Sequence, residues 1–168
     1  MTERDPYRNP FSASDNDRAA IWDMLVQRDI DAFVAADWDA VAGDFIADNF
    51  TGFSGHFQRE PDGYTLAYPT LSAYRDDWIR QAQDFGAQKA AGAYAGDPRA
   101  GIFAATRLEE IEITGDAALV RKRFDGHLPR SDGSRERMNW QTLYWCRRLD
   151  GRWKIAGFLG YLPHVMDD

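Results

Sequence analysis

Apolar residues recur at helical spacing through the first half of the chain and at every second position through the last third, with the change of period near Thr106. Ile21, Met24, Leu25, Phe33 and Val34 mark one face of a helix running from about Asp17 to residue 35, with Ser14 or Asp15 available to cap it. Asp37 is placed to cap a second, shorter helix over 38–47, because Trp38, Val41, Phe45 and Ile46 share a face while Asp39 and Asp44 fall off it. Thr70 opens a third helix over 70–84, whose Leu71, Tyr74, Trp78 and Ala82 point one way. Residues 86–99 are rich in Gly and Ala, fit neither period, and read as loop. The opening MTERDPYRNPFSAS has no periodicity and holds Pro6 and Pro10, so residues 1–14 are expected to form a flexible arm and 15–168 a single domain.

From Thr106 the segments TRLEEIEI, ALVRKRFDGHL, MNWQTLYWCRRL and RWKIAGFLGYL read as four strands, joined by turns at Gly115-Asp116 and Asp150-Gly151 and by the polar loop PRSDGSRER. Three helices followed by an antiparallel meander define an α+β architecture in which the helices cover one face of a curved sheet. In the second strand Ala118, Val120 and Phe124 make the inward row, which leaves Arg121, Arg123, Asp125 and His127 outside; a β-bulge would exchange the rows. Trp140, Thr142, Tyr144 and Cys146 share a face with Trp153 and Ile155 across a two-residue Asp-Gly turn, the side expected to face core or pocket. Leu143 and Trp145 lie on the opposite parity, where helices cannot cover them, and two copies are expected to associate through the outer sheet face.

Composition narrows the function classes. A chain of 168 residues with 44% hydrophobic content can bury one core, and six tryptophans exceed what volume alone requires. The net charge of −7 and the scattered Lys and Arg exclude a basic nucleic-acid stripe. No leader-like apolar segment and no run long enough to span a bilayer occurs, so the expected location is cytoplasmic, away from membranes. Cys146 stands alone, which excludes an internal disulfide and a multi-cysteine zinc site. The three histidines are far apart, and no Gly-rich phosphate loop follows a strand; no metal and no cofactor is expected.

With this order in view, the segments FVAADWDAVAGDFIADNFTGF, LEEIEITGDAALVRKRF and RRLDGRWKIAGF resemble the NTF2-like superfamily, the cone-shaped α+β fold of ketosteroid isomerases, SnoaL-type cyclases and limonene epoxide hydrolase. The resemblance implies a cone of three helices on a curved sheet, an apolar pocket within it, and pairing of two sheets. Against the isomerase pattern, Asp29 falls where a Tyr is expected and Phe53 where the Asp base is expected, and no carboxylate lies between Glu136 and Asp150, which disfavours that mechanism. Against the epoxide hydrolases, Arg123-Phe124-Asp125 reproduces the Arg-x-Asp spacing, but IAGFLGYLP offers no second Asp. His56, after the turn TGFSGH, falls where the mouth of such pockets lies. The expected function is binding of a small, largely apolar or aromatic molecule, with His56, Trp78, Arg123, Asp125, His127, Trp140 and Tyr144 as candidate contacts. The alternatives are a lyase, isomerase or cyclase with a non-standard acid–base set drawn from His56, Tyr144 and Asp125, and a non-catalytic interaction module.

Overall fold

The computed structural model describes residues 3–164, so the first two residues of the expected arm and the last four of the expected domain lie outside the described part. Asp15 caps the first helix through the Arg18 amide. That helix runs as α1 (Asn16–Trp22), one π-helical segment (Asp23–Arg28) and α2 (Asp29–Ala35). Asp37 accepts from the Ala40 amide and starts α3, which is a single turn (Asp39–Ala42), although the helical spacing extends to residue 47. The chain leaves the helix there because the Asp44 carbonyl accepts from the Ile155 amide and Ile46 donates back to the Ile155 carbonyl.

Two short strands come next, β1 (Thr51–Ser54) and β2 (Thr65–Tyr68), which the hydrophobic pattern does not announce. Four residues are too few to establish a period of two. Thr70 caps α4 (Leu71–Ala90), which runs past the expected end at residue 84 because Ala87, Gln88, Lys89 and Ala90 are good helix formers. The stretch expected to be loop then ends in a further helix, α5 (Pro98–Ala105), with Asp97 as its cap and Pro98 in its first turn.

The remaining strands are β3 (Thr106–Thr114), β4 (Ala117–Pro129), β5 (Arg135–Leu149) and β6 (Arg152–Leu162). The six strands form one sheet in the order β2-β1-β6-β5-β4-β3. The expected antiparallel meander is present, and to it β1 adds a parallel pairing with β6, Thr51 opposite Gly157 and Phe53 opposite Leu159. Leu149 pairs with Arg152 around Asp150 and Gly151, whose φ of 51° and 75° are the left-handed values a tight two-residue hairpin turn needs. The helices cover one face of the sheet, and Met24, Leu25, Trp78, Phe103, Val120, Cys146 and Ile155 belong to a common core.

Bulges set which side chains face that core. β3 carries one between Arg107 and Glu110, and β6 carries two, opposite Trp145/Cys146 and opposite Gln141/Leu143. The β4–β5 ladder has none from Ala117 to Pro129. The N-terminal segment lies across α5: Arg4 donates to the Thr106 carbonyl at 2.8 Å, and the Tyr7 ring meets Phe103 at 4.9 Å beneath the Arg99 guanidinium.

Candidate functional site

Between the concave sheet face and helices α2, α4 and α5 lies a cavity of about 380 Å³. Its sheet wall is laid out in registered rows. Val120 pairs with Tyr144 and Tyr144 with Phe158; Lys122 pairs with Thr142; Phe124 pairs with Trp140. The Phe124 and Trp140 rings stack at 4.6 Å, and Phe33 and Trp78 close the opposite side edge to face at 5.7 Å. Much of the wall is therefore aromatic carbon, with the exposed carboxylates Asp84 and Glu136 on its outer part and a separate, buried polar end.

That end is built around Lys122. Its position in β4 has inward parity, and the side chain is 1% exposed. The ammonium donates to Asp29 Oδ2 at 2.8 Å and to the Leu25 carbonyl at 2.5 Å. The π-helical segment supplies the Leu25 carbonyl and the first residue of α2 supplies Asp29, whose amide donates to the Val26 carbonyl while the Leu25 carbonyl accepts from Lys122. Single π turns inside α-helices recur at functional sites, where they re-aim a side chain or free a main-chain group. A buried ammonium paired with a carboxylate and a carbonyl meets the requirement that buried charge be compensated. It has three protons and two protein acceptors among these contacts.

Phenols complete the polar end. Tyr74, Tyr144 and Tyr161 line the cavity, and burial, with Asp29 and neighbouring phenols adding to it, pushes the ionisation of Tyr74 and Tyr144 well above the ordinary range. Tyr161 is raised by burial too, against donation from Gln81. These groups stay protonated and act as donors. Tyr161 lies in the second bulge of β6 with φ of 58°. Behind it, Tyr68 donates to Asp77 at 2.5 Å, and burial followed by that bond raises the Tyr68 phenol.

The residues expected at the site from the sequence divide. Trp78, Trp140 and Tyr144 line the cavity. His56 does not: it sits exposed on the β1–β2 connection, its ring bonded to Thr65 Oγ1 at 2.7 Å. Arg123, Asp125 and His127 lie on the outer face, because the bulge that would have turned them inward is absent from β4. Asp125 and His127 are exposed, and Arg123 pairs with Glu110 at 2.7 Å. The row is therefore no part of the cavity. Phe53 also faces outward beside Leu159, whereas Asp29 lies on the cavity wall. Lys122 is a site residue that motif and resemblance miss, although it is the one charged residue at an inward position between Ala118 and Leu128, a signal the alternation carries. Burial pushes the Cys146 thiol up to about 12, which makes it inert. Among the described residues no group of three or more His, Cys, Asp or Glu is placed to hold a metal, and no helix is long and apolar enough to cross a membrane.

No protein-family model and no curated protein matches the chain. Solved structures do. An NTF2-like protein of unknown function from Pseudomonas putida superposes with a TM-score of 0.55 at 17% identity, over 92% of this chain and 90% of that one. A Novosphingobium aromaticivorans protein provisionally assigned as an aromatic ring hydroxylase superposes with a TM-score of 0.54 at 18% identity, over 90% and 91% of the two chains. An NTF2-like protein of unknown function from Silicibacter pomeroyi gives a TM-score of 0.51 at 16% identity, over 89% and 98%. At such identities the likeness defines architecture. The chain has the NTF2-like fold, an α+β cone with an unclosed curved sheet.

Proposed function

We propose that the protein binds a small, largely apolar ring compound in the cavity between sheet and helices. The observation that carries this reading is the cavity's composition: an aromatic wall from Phe33, Trp78, Phe124, Trp140 and Phe158, with a buried polar end at Lys122. A volume of about 380 Å³ suits a one- or two-ring ligand. Trp78 and Trp140 are contact residues and Tyr144 a hydrogen-bond donor in this reading. The test is saturable quenching of tryptophan fluorescence by naphthalene-sized ring compounds. Trp140→Ala is expected to weaken binding about tenfold, since removing one stacking face costs on the order of 1 kcal/mol or more. Equal binding by wild type and variant would refute it.

An enzyme drawing on His56, Tyr144 and Asp125 together is less well supported, because of the three only Tyr144 reaches the cavity. The outer sheet face supports a separate proposal, that two copies pair through it. Phe53, Leu159 and Leu143 continue one cross-strand row there, and Trp145 and Leu119 the next, with Leu119 61% exposed. An apolar patch rimmed by Arg121, Arg123, Asp125 and His127 has the composition of an interface.

A further inference from the structure

Resting on the ligand-binding reading, we propose that the cavity selects a ring compound bearing a weakly acidic hydroxyl, a phenol or an enol, that Asp29 takes its proton, and that Lys122 holds the oxyanion so formed.

Three features of the polar end lead there. The first is charge. Lys122 and Asp29 sum to zero, and the exposed Asp84 and Glu136 line the cavity's outer part. An anion arriving from solvent passes these carboxylates and then meets Asp29, while a cation meets Lys122 in a low-dielectric wall. A ligand that enters uncharged avoids both costs.

The second is the inventory of donors and acceptors. Lys122 has one proton beyond its bonds to Leu25 and Asp29, and Tyr74 and Tyr144 remain protonated. Against these donors stands one charged acceptor, Asp29, whose side chain is 31% exposed beside the cavity. An ether would accept from Lys122 and give Asp29 no donor beyond the ammonium it already has. An amine would satisfy Asp29 and face the ammonium. A hydroxyl satisfies both, because it donates to the carboxylate through its proton and accepts through its oxygen.

The third is the balance of charge as the proton moves. The ligand O–H bond breaks, an O–H bond forms on Asp29, and the electron pair stays on the ligand oxygen next to the Lys122 ammonium. The charge of the closed site is unchanged, and no other reactant is required. Before transfer the ammonium is paired with Asp29; afterwards it is paired with the ligand oxyanion, in a cavity that Tyr74 and Tyr144 also line. Charge-assisted bonds from several donors favour the ionised ligand.

The experiment uses 4-nitrophenol, whose anion is yellow and whose neutral form is not, and its methyl ether 4-nitroanisole, which has the same ring and no acidic proton. Tryptophan quenching reports occupancy by either. At a pH about one unit below the phenol's own pKa, where about nine-tenths of the free phenol is neutral, the bound phenol is expected to show the anion band, with an anion fraction at least about fivefold that of the free phenol. Binding in a weakly buffered indicator solution is expected to release no net proton from wild type, because the proton stays on Asp29. Asp29→Asn is expected to bind the same anion while releasing a proton to solvent. Lys122→Met is expected to retain quenching and lose the anion band. Quenching with the spectrum of the neutral phenol in wild type would overturn the proposal while leaving ligand binding intact, as would net proton release by wild type. Absence of quenching by both probes would overturn ligand binding itself, and this proposal with it.

Discussion

Lys122 carries more of this site than any other side chain. It is the point at which a strand, a helix and the cavity meet, and its removal strands two acceptors, Asp29 and the Leu25 carbonyl. Lys122→Met is expected to cost about 1–3 kcal/mol in urea denaturation, kept below the value for a fully buried pair because Asp29 retains solvent contact through the cavity. Asp29→Leu combined with Lys122→Met should recover part of that loss, which a double-mutant cycle measures. Cys146 makes the opposite kind of prediction. Its thiol ionises near 12 in the folded protein against an ordinary 9.0, so the unfolded chain releases its proton first. The stability this contributes is complete below about pH 9 and is lost as pH rises through 12, with Tyr74 and Tyr144 acting in the same direction. Urea midpoints should fall above about pH 9.5, and a thiol reagent at about pH 8 should label Cys146 only after unfolding.

At the level of elements, strand β6 is the most constrained. Its Gly157 lies under the Trp145 indole, where an added Cβ would sit 2.5 Å from ring atoms. Gly157→Ala is expected to destabilise by about 1–3 kcal/mol in thermal or urea unfolding, and Trp145→Ala to relieve most of that penalty in the double variant. Alternation in the sequence is enough to lay out β3 to β6, to set the inward row of β4, and to place Trp140, Tyr144 and Cys146 with Trp153 and Ile155. It is not enough for β1 and β2, whose four-residue lengths carry no period, nor for α5, whose Asp97-Pro98 start lies in a stretch dominated by small residues. The polar end of the cavity is the least legible part. Lys122 stands at an inward position in plain view, but its partners depend on a π turn, and a local change of helical pitch leaves no mark on hydrophobic spacing. The bulge that holds Tyr161 is equally silent, since it is fixed by pairing with β5 rather than by the residues themselves.

For the whole molecule, the covered and uncovered faces of the sheet predict different consequences of mutation. Asp125→Ala and His127→Ala, on the outer face, should leave ring-compound binding unchanged and shift stability by no more than about 0.5 kcal/mol. Leu119→Arg, in the apolar centre of that face, should convert a dimer to a monomer in sedimentation at micromolar concentration with ligand affinity intact; a wild-type chain that sediments as a monomer would refute pairing through this surface. The Lys122 contacts with Leu25 and Asp29 span 97 and 93 residues of chain. Hairpins of the meander close over short loops, whereas this junction waits for the first helix to find a strand formed from the far half of the molecule. It therefore belongs to the late, downhill side of folding. A Lys122→Met chain should refold at the wild-type rate and unfold faster, so that the lifetime of the native state, rather than the speed of reaching it, is what this one ammonium controls.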